Sequence, residues 1–112
     1  MEGCSPTYLC NMIVYNVTVK LQASIHHEWM NWLNKEHIPV VLNTGCFTDV
    51  HILRLLHTDD SEGPTYAVQY HAANEAMLNS YIKNFLPAME QLSLNRWGDQ
   101  FVSFSTILKR VN

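Results

Sequence analysis

Seven consecutive turn formers, Thr58-Asp59-Asp60-Ser61-Glu62-Gly63-Pro64, separate two segments of strand character and restrict the fold more than any other stretch. Aspartate, serine, glycine and proline each favour turn geometry for a different physical reason. A loop of this length is too short for a parallel crossover, which needs a dozen or more residues. The flanking segments, Cys46 to His57 and Thr65 to Ala72, must therefore pair antiparallel as a hairpin. In the first of them Phe47, Asp49, His51, Leu53 and Leu55 share one register, and Thr48, Val50, Ile52, Arg54 and Leu56 the other. Both registers are half apolar, so both faces require cover. In the second, Tyr66, Val68 and Tyr70 alternate with Ala67, Gln69 and His71.

The rest of the chain supplies two more strands and two helices. Ile13, Tyr15, Val17 and Val19 alternate with Val14, Asn16, Thr18 and Lys20, the period-two signature of a strand. Ser24 is the candidate N-cap of a helix whose apolar stripe carries Ile25, Trp29, Trp32 and Leu33. Pro39 has no N–H to donate and disfavours the α region for Ile38, which predicts a kink and a short helical restart closed by Gly45 at C′. Asn74 caps a second helix with Leu78, Tyr81, Ile82, Phe85, Met89 and Leu92 in one stripe. Pro87 should bend or split it, and Gly98 ends it. In the last strand, Gln100 to Val111, Val102, Phe104, Thr106 and Leu108 oppose Phe101, Ser103, Ser105 and Ile107.

The order β-α-β-β-α-β predicts an α+β, ferredoxin-like domain, a four-stranded antiparallel sheet with two helices on one face. The other face is then bare, although every strand places apolar groups in both registers. Such a face predicts a homodimer packed sheet against sheet, with a semi-polar space between the copies.

With 112 residues and 47% hydrophobic content the chain fits one domain, over residues 12–112, behind a mobile leader at residues 1–11. Met12 opens the patterned region and is a candidate translation start. The net charge of −3 and scattered Lys and Arg offer no basic stripe, which argues against nucleic acid and anionic membrane. Cys4, Cys10 and Cys46 form no C-x-x-C pattern, and a reducing cytoplasm is the expected location. The leader lacks a signal-peptide pattern, and no segment approaches the ~20 apolar residues of a membrane span.

Several segments together resemble a small bacterial family, domain of unknown function 4286. They are Asn16-Val17-Thr18-Val19, His37-Ile38-Pro39, Thr44-Gly45-Cys46-Phe47, Gly63 through Tyr70, and Trp97-Gly98-Asp99 with Phe101-Val102. The resemblance spans residues 12–112 and implies membership of the dimeric α+β barrel proteins, hence a homodimer. It brings no established activity. The wider superfamily includes cofactor-independent monooxygenases, isomerases, haem-degrading enzymes and ligand-sensing domains, and a fold alone does not choose among them.

Among side chains able to do chemistry, His37 is the best catalytic candidate, since it sits at the edge of the first helical stripe beside Pro39. With an ordinary pKa near 6.5 it could act as acid, base or ligand orienter, or its ring could cap a carbonyl freed by the proline. Asn16, His51, Gln69 and His71 occupy mixed registers and join His37 as candidate ligand-binding residues lining the inter-subunit space. Three or four imidazoles with Asp49 could bind a metal, but no pair has the spacing of a zinc motif, so neither metal nor cofactor is expected. Cys46 has no basic sequence neighbour to activate it, although a pairing with His37 through space is open. His26 and His27 read as surface residues, Trp29 and Trp32 as packing groups, and Asp59, Asp60 and Glu62 as a solvated turn. The leading expectation is a homodimer that binds or transforms a small, partly apolar molecule in a sheet-side cavity. The alternative is a non-enzymatic dimeric interaction or regulatory module. Tyr15, Tyr66 and Tyr70 suggest an RNA-binding platform, but the basic groups of such a platform are missing.

Overall fold

A computed structural model describes residues 12–111, so the leader, Cys4 and Cys10 lie outside the described residues. The chain runs β1 (Ile13–Leu21), a 3-10 turn (Ala23–Ile25), α1 (His26–Trp32), a π-helical turn (Leu33–His37) and α2 (Ile38–Leu42). The hairpin of β2 (Asp49–Arg54) and β3 (Thr65–Ala72) follows, then α3 (Glu75–Asn84), α4 (Leu86–Trp97) and β4 (Phe101–Lys109). The strands form one four-stranded sheet in the order β2-β3-β1-β4, with every neighbouring pair antiparallel. This is the ferredoxin-like α+β arrangement. Among the described residues no helix is long and apolar enough to cross a membrane.

Alternation along the strands decides which face the helices cover. Ile13, Tyr15, Val19 and Leu21 of β1 are buried with Val68 and Tyr70 of β3 in a single core completed by Trp29, Trp32, Leu78, Tyr81 and Trp97. Removing a side chain as completely enclosed as Leu21 from water contributes about 1.5–3 kcal/mol. The opposite registers face away from the helices and stay partly open. The hairpin loop returns over the end of β1, where Leu21 N–H donates to the Pro64 carbonyl at 3.0 Å and Ala23 N–H to that of Glu62 at 2.9 Å. Gly63 is required there. Its φ is +150°, and a Cβ would collide with the Leu21 carbonyl.

Four local features depart from the sequence expectations. Ser24 does not cap α1; the helix is entered through the 3-10 turn, which has no side-chain cap. Pro39 opens the expected short helical restart, but without displacing Ile38 from the α region. The ladder widens to i→i+5 just upstream, with Ile38 N–H donating to the Leu33 carbonyl, and Ile38 keeps α geometry at φ −58°. The proline then falls in the first turn of α2. Gly45 does adopt positive φ, +79°, but two residues past the C-cap Asn43. Pro87 starts α4 after a break at Phe85 (φ −127°), and the break rotates the expected stripe. Met89 is buried as expected, Trp97 joins it, and Leu92 is left 43% exposed. Asn74 does cap α3, its side chain accepting the Met77 N–H at 2.9 Å.

Candidate functional site

The break between α3 and α4 leaves a gap over the β1–β4 side of the sheet. A cavity of about 410 Å³ opens there, with Tyr15, Val19, Val68 and Tyr70 on its floor and Trp29, Trp32, Tyr81 and Met89 among its helical walls. On β4 two of the residues that share the helix-facing side of β1 are small, between Phe101 and Ile107: Ser105 pairs with Val17 and Ser103 with Val19. Two serines in place of bulky side chains leave part of this space unfilled.

His37 lies on the wall of this cavity. It ends the π-helical turn, and its ring stacks on Trp32 with centroids 4.5 Å apart and planes 21° apart. Trp32 is held edge-on by Trp97 at 5.7 Å. The Nδ1 of His37 is buried and makes no hydrogen bond. Burial lowers the pKa of the ring from 6.5 to about 4, because the charged form would lose its solvation without gaining a partner. Near neutral pH the ring is therefore an uncharged imidazole. Burial also pushes the Tyr70 and Tyr81 hydroxyls up, and that of Tyr15 with a partial offset from a Ser105 hydrogen bond, so all three phenols stay protonated. A second, shallower groove of about 350 Å³ lies along Trp32, His37, Val40, Leu92 and Arg96. The stacked Trp32–His37 pair thus lines both spaces.

The other four candidate ligand-binding residues are not brought together with His37. Strand pairing aligns His51, Gln69, Asn16 and Thr106 in one row across the opposite face of the sheet, with Asp49, His71, Val14 and Leu108 in the next. His51 and His71 meet there, Nδ1 to Nε2 at 3.2 Å, while His51 Nε2 stands 3.4 Å from Asp49 Oδ2. The His71 Nδ1 lies 3.4 Å from Met12 Sδ. Partial burial and the neighbouring His51 lower the pKa of His71. The Asn16 amide donates to Thr18 Oγ1 at 3.1 Å, and its Oδ1 is buried without a partner. Among the described residues no group of three or more His, Cys, Asp or Glu is arranged to hold a metal ion.

Other residues singled out from the sequence take structural places. Trp29 and Trp32 are core residues, and the buried Cys46 thiol lies against the Thr44 carbonyl. His26 is not a free surface group; its Nε2 is 2.6 Å from the Tyr66 hydroxyl, a contact across 40 residues that periodicity does not signal. Glu90, Ser103 and Ser105 line the cavity without having been singled out. The alternation of β4 held a signal for the serines, since small polar groups in one register opposite a bulky one mark a thinly packed side.

The fold recurs in solved structures of low sequence identity. The heme-degrader MhuD from Mycobacterium tuberculosis, solved with two hemes bound in its active site, is 16% identical, with a TM-score of 0.65 over 89% of this chain and 96% of that one. An ethyl tert-butyl ether d (EthD) family protein from Bacillus halodurans is 11% identical, with a TM-score of 0.64 over 88% and 98%. A dimeric ferredoxin-like protein from an uncultured marine organism is 14% identical, with a TM-score of 0.57 over 90% and 96%. No curated protein matches the chain in sequence. The family model "Domain of unknown function (DUF4286)" matches residues 12–111, and the chain belongs to that family.

Proposed function

We propose that the chain holds a small, partly apolar molecule in the cavity between its helices and its sheet, with His37 as the polar group that orients it. The observation that carries this reading is an uncharged imidazole in a cavity wall otherwise built largely of aromatic and aliphatic groups. The volume of about 410 Å³ falls in the usual range for small-molecule sites. A pKa of about 4 makes His37 a weak base near neutral pH, which favours positioning over proton abstraction. The test is a thermal-shift screen of small aromatic and aliphatic metabolites on the wild type and on Ser105→Trp, which fills the cavity from the exposed strand. Stabilisation of the wild type that disappears in the variant supports the reading. Stabilisation that survives the filled cavity refutes it.

The sheet face turned away from the helices is the proposed seat of a second copy. Leu53, Val102, Phe104 and Leu108 are between 43% and 71% exposed, and all lie on this face. Apolar groups concentrated on one face of a small domain mark an interaction surface. Asn16, His51, Gln69 and His71 would then lie in the space between the two sheets. Light scattering on the wild type and Phe104→Asp checks this: a dimer that becomes a monomer is expected, and a monomeric wild type removes the proposal. The alternative, a dimeric interaction or regulatory module without a ligand, predicts that His37→Ala, His51→Ala and His71→Ala change stability and abolish no binding.

A further inference from the structure

The charge inventory of the cavity goes further than its shape. Among its lining residues there is no Lys or Arg, and Glu90 is the one carboxylate. His37 is neutral near pH 7, and the buried phenols of Tyr15, Tyr70 and Tyr81 keep their protons. An anion entering this space would lose its water, find no cation and stand near Glu90, and each of these opposes binding. Aromatic side chains, among them Trp29, Trp32 and Phe101, line the space and suit a ring-bearing guest. With Nδ1 enclosed, the neutral His37 ring can meet a ligand only through Nε2, as donor or acceptor according to the tautomer, and the Ser103 and Ser105 hydroxyls can play either role. The group that suits all three is one that also donates and accepts, a hydroxyl.

We propose that this cavity selects uncharged, ring-bearing molecules that end in a hydroxyl, and that it rejects the same ring carrying a carboxylate. The inference rests on the reading that the cavity is a ligand site and names the chemistry that site accepts.

Three probes sharing one ring system separate the two ideas: 2-naphthol, 2-naphthoate and naphthalene, titrated into the full chain near pH 7 with calorimetry or tryptophan fluorescence. The naphthol and naphthalene remain neutral there and the naphthoate is ionised. 2-Naphthol is expected to bind at least about tenfold more tightly than 2-naphthoate, a modest result of burying an uncompensated charge. His37→Phe is expected to erase most of the advantage of naphthol over naphthalene, and Ser105→Trp to remove binding of both. Naphthoate binding as tightly as naphthol, with both lost in Ser105→Trp, overturns the selectivity while leaving the ligand site standing. Failure of all three probes, or binding indifferent to Ser105→Trp, overturns the ligand site and the selectivity with it.

Discussion

Replacing His37 by phenylalanine should abolish a specific part of the protein's sensitivity to acid. The folded state lowers the pKa of the ring from 6.5 to about 4, so between those values the unfolded chain binds a proton that the folded chain refuses. Stability then rises with pH across this window, because the unfolded state carries the extra proton. Above the ordinary value both states are neutral and His37 contributes nothing to the pH dependence. As pH falls through 6.5 the penalty begins, and it levels off below about 4. Each pH unit of displacement is worth about 1.4 kcal/mol, so the displacement from 6.5 to about 4 amounts to about 3 kcal/mol. Phenylalanine keeps a flat ring against Trp32 and has no proton to exchange. Urea unfolding followed by tryptophan fluorescence, repeated in steps from about pH 7.5 to pH 4, reads the difference directly. Whatever the variant's stability at the upper end, it should gain about 3 kcal/mol on the wild type by the lower end. Two stability curves that stay parallel within about 0.5 kcal/mol would show that His37 titrates as a solvated imidazole, and the neutral wall of the cavity would be lost.

Asn74→Ala removes the side-chain oxygen that accepts the Met77 N–H and should cost about 1 kcal/mol in urea unfolding; no change would mean that water replaces the cap. Gly63→Ala forces a Cβ against the Leu21 carbonyl at a positive φ and should cost about 3 kcal/mol or more, whereas Gly98→Ala, with open space around its Cβ, should cost about 1 to 2 kcal/mol from its backbone angle alone. Thermal melts of the two variants check the order, and a reversal would refute the close approach of the loop to β1. In an NMR titration His71 should protonate below its ordinary value, and His51→Gln should raise its midpoint, since part of the depression comes from that neighbour. An unmoved midpoint would deny the contact between the rings.

The arrangement of strands was legible because it followed from short-range chemistry. Turn formers at residues 58–64 imposed the hairpin, and period-two alternation from Ile13 to Val19 gave β1 its two faces. The site was legible only in part. His37 could be picked out from Pro39, but its orientation depends on a wider turn that no propensity signals. The serines of β4 were visible as a register, yet which register meets the helices is decided by long-range pairing with β1. The shift of Leu92 outward and Trp97 inward follows from the break at Phe85, which proline position predicts and helical periodicity does not. Asn16, His51, Gln69 and His71 separate from His37 because strand alternation places them on the opposite face.

The π-helical turn at Leu33–His37 behaves as one residue inserted into an otherwise α-helical run. Deleting a single residue from it would let the ladder close at i→i+4 throughout, and the core positions on either side, Trp32 before and Val41 after, could keep their places. What would not survive is the local outward loop of backbone that carries His37. Chain length across these five residues therefore offers a marker that does not depend on residue identity: relatives one residue shorter here should retain the fold and lose the cavity-lining imidazole's position, even where a histidine is still spelled in the sequence.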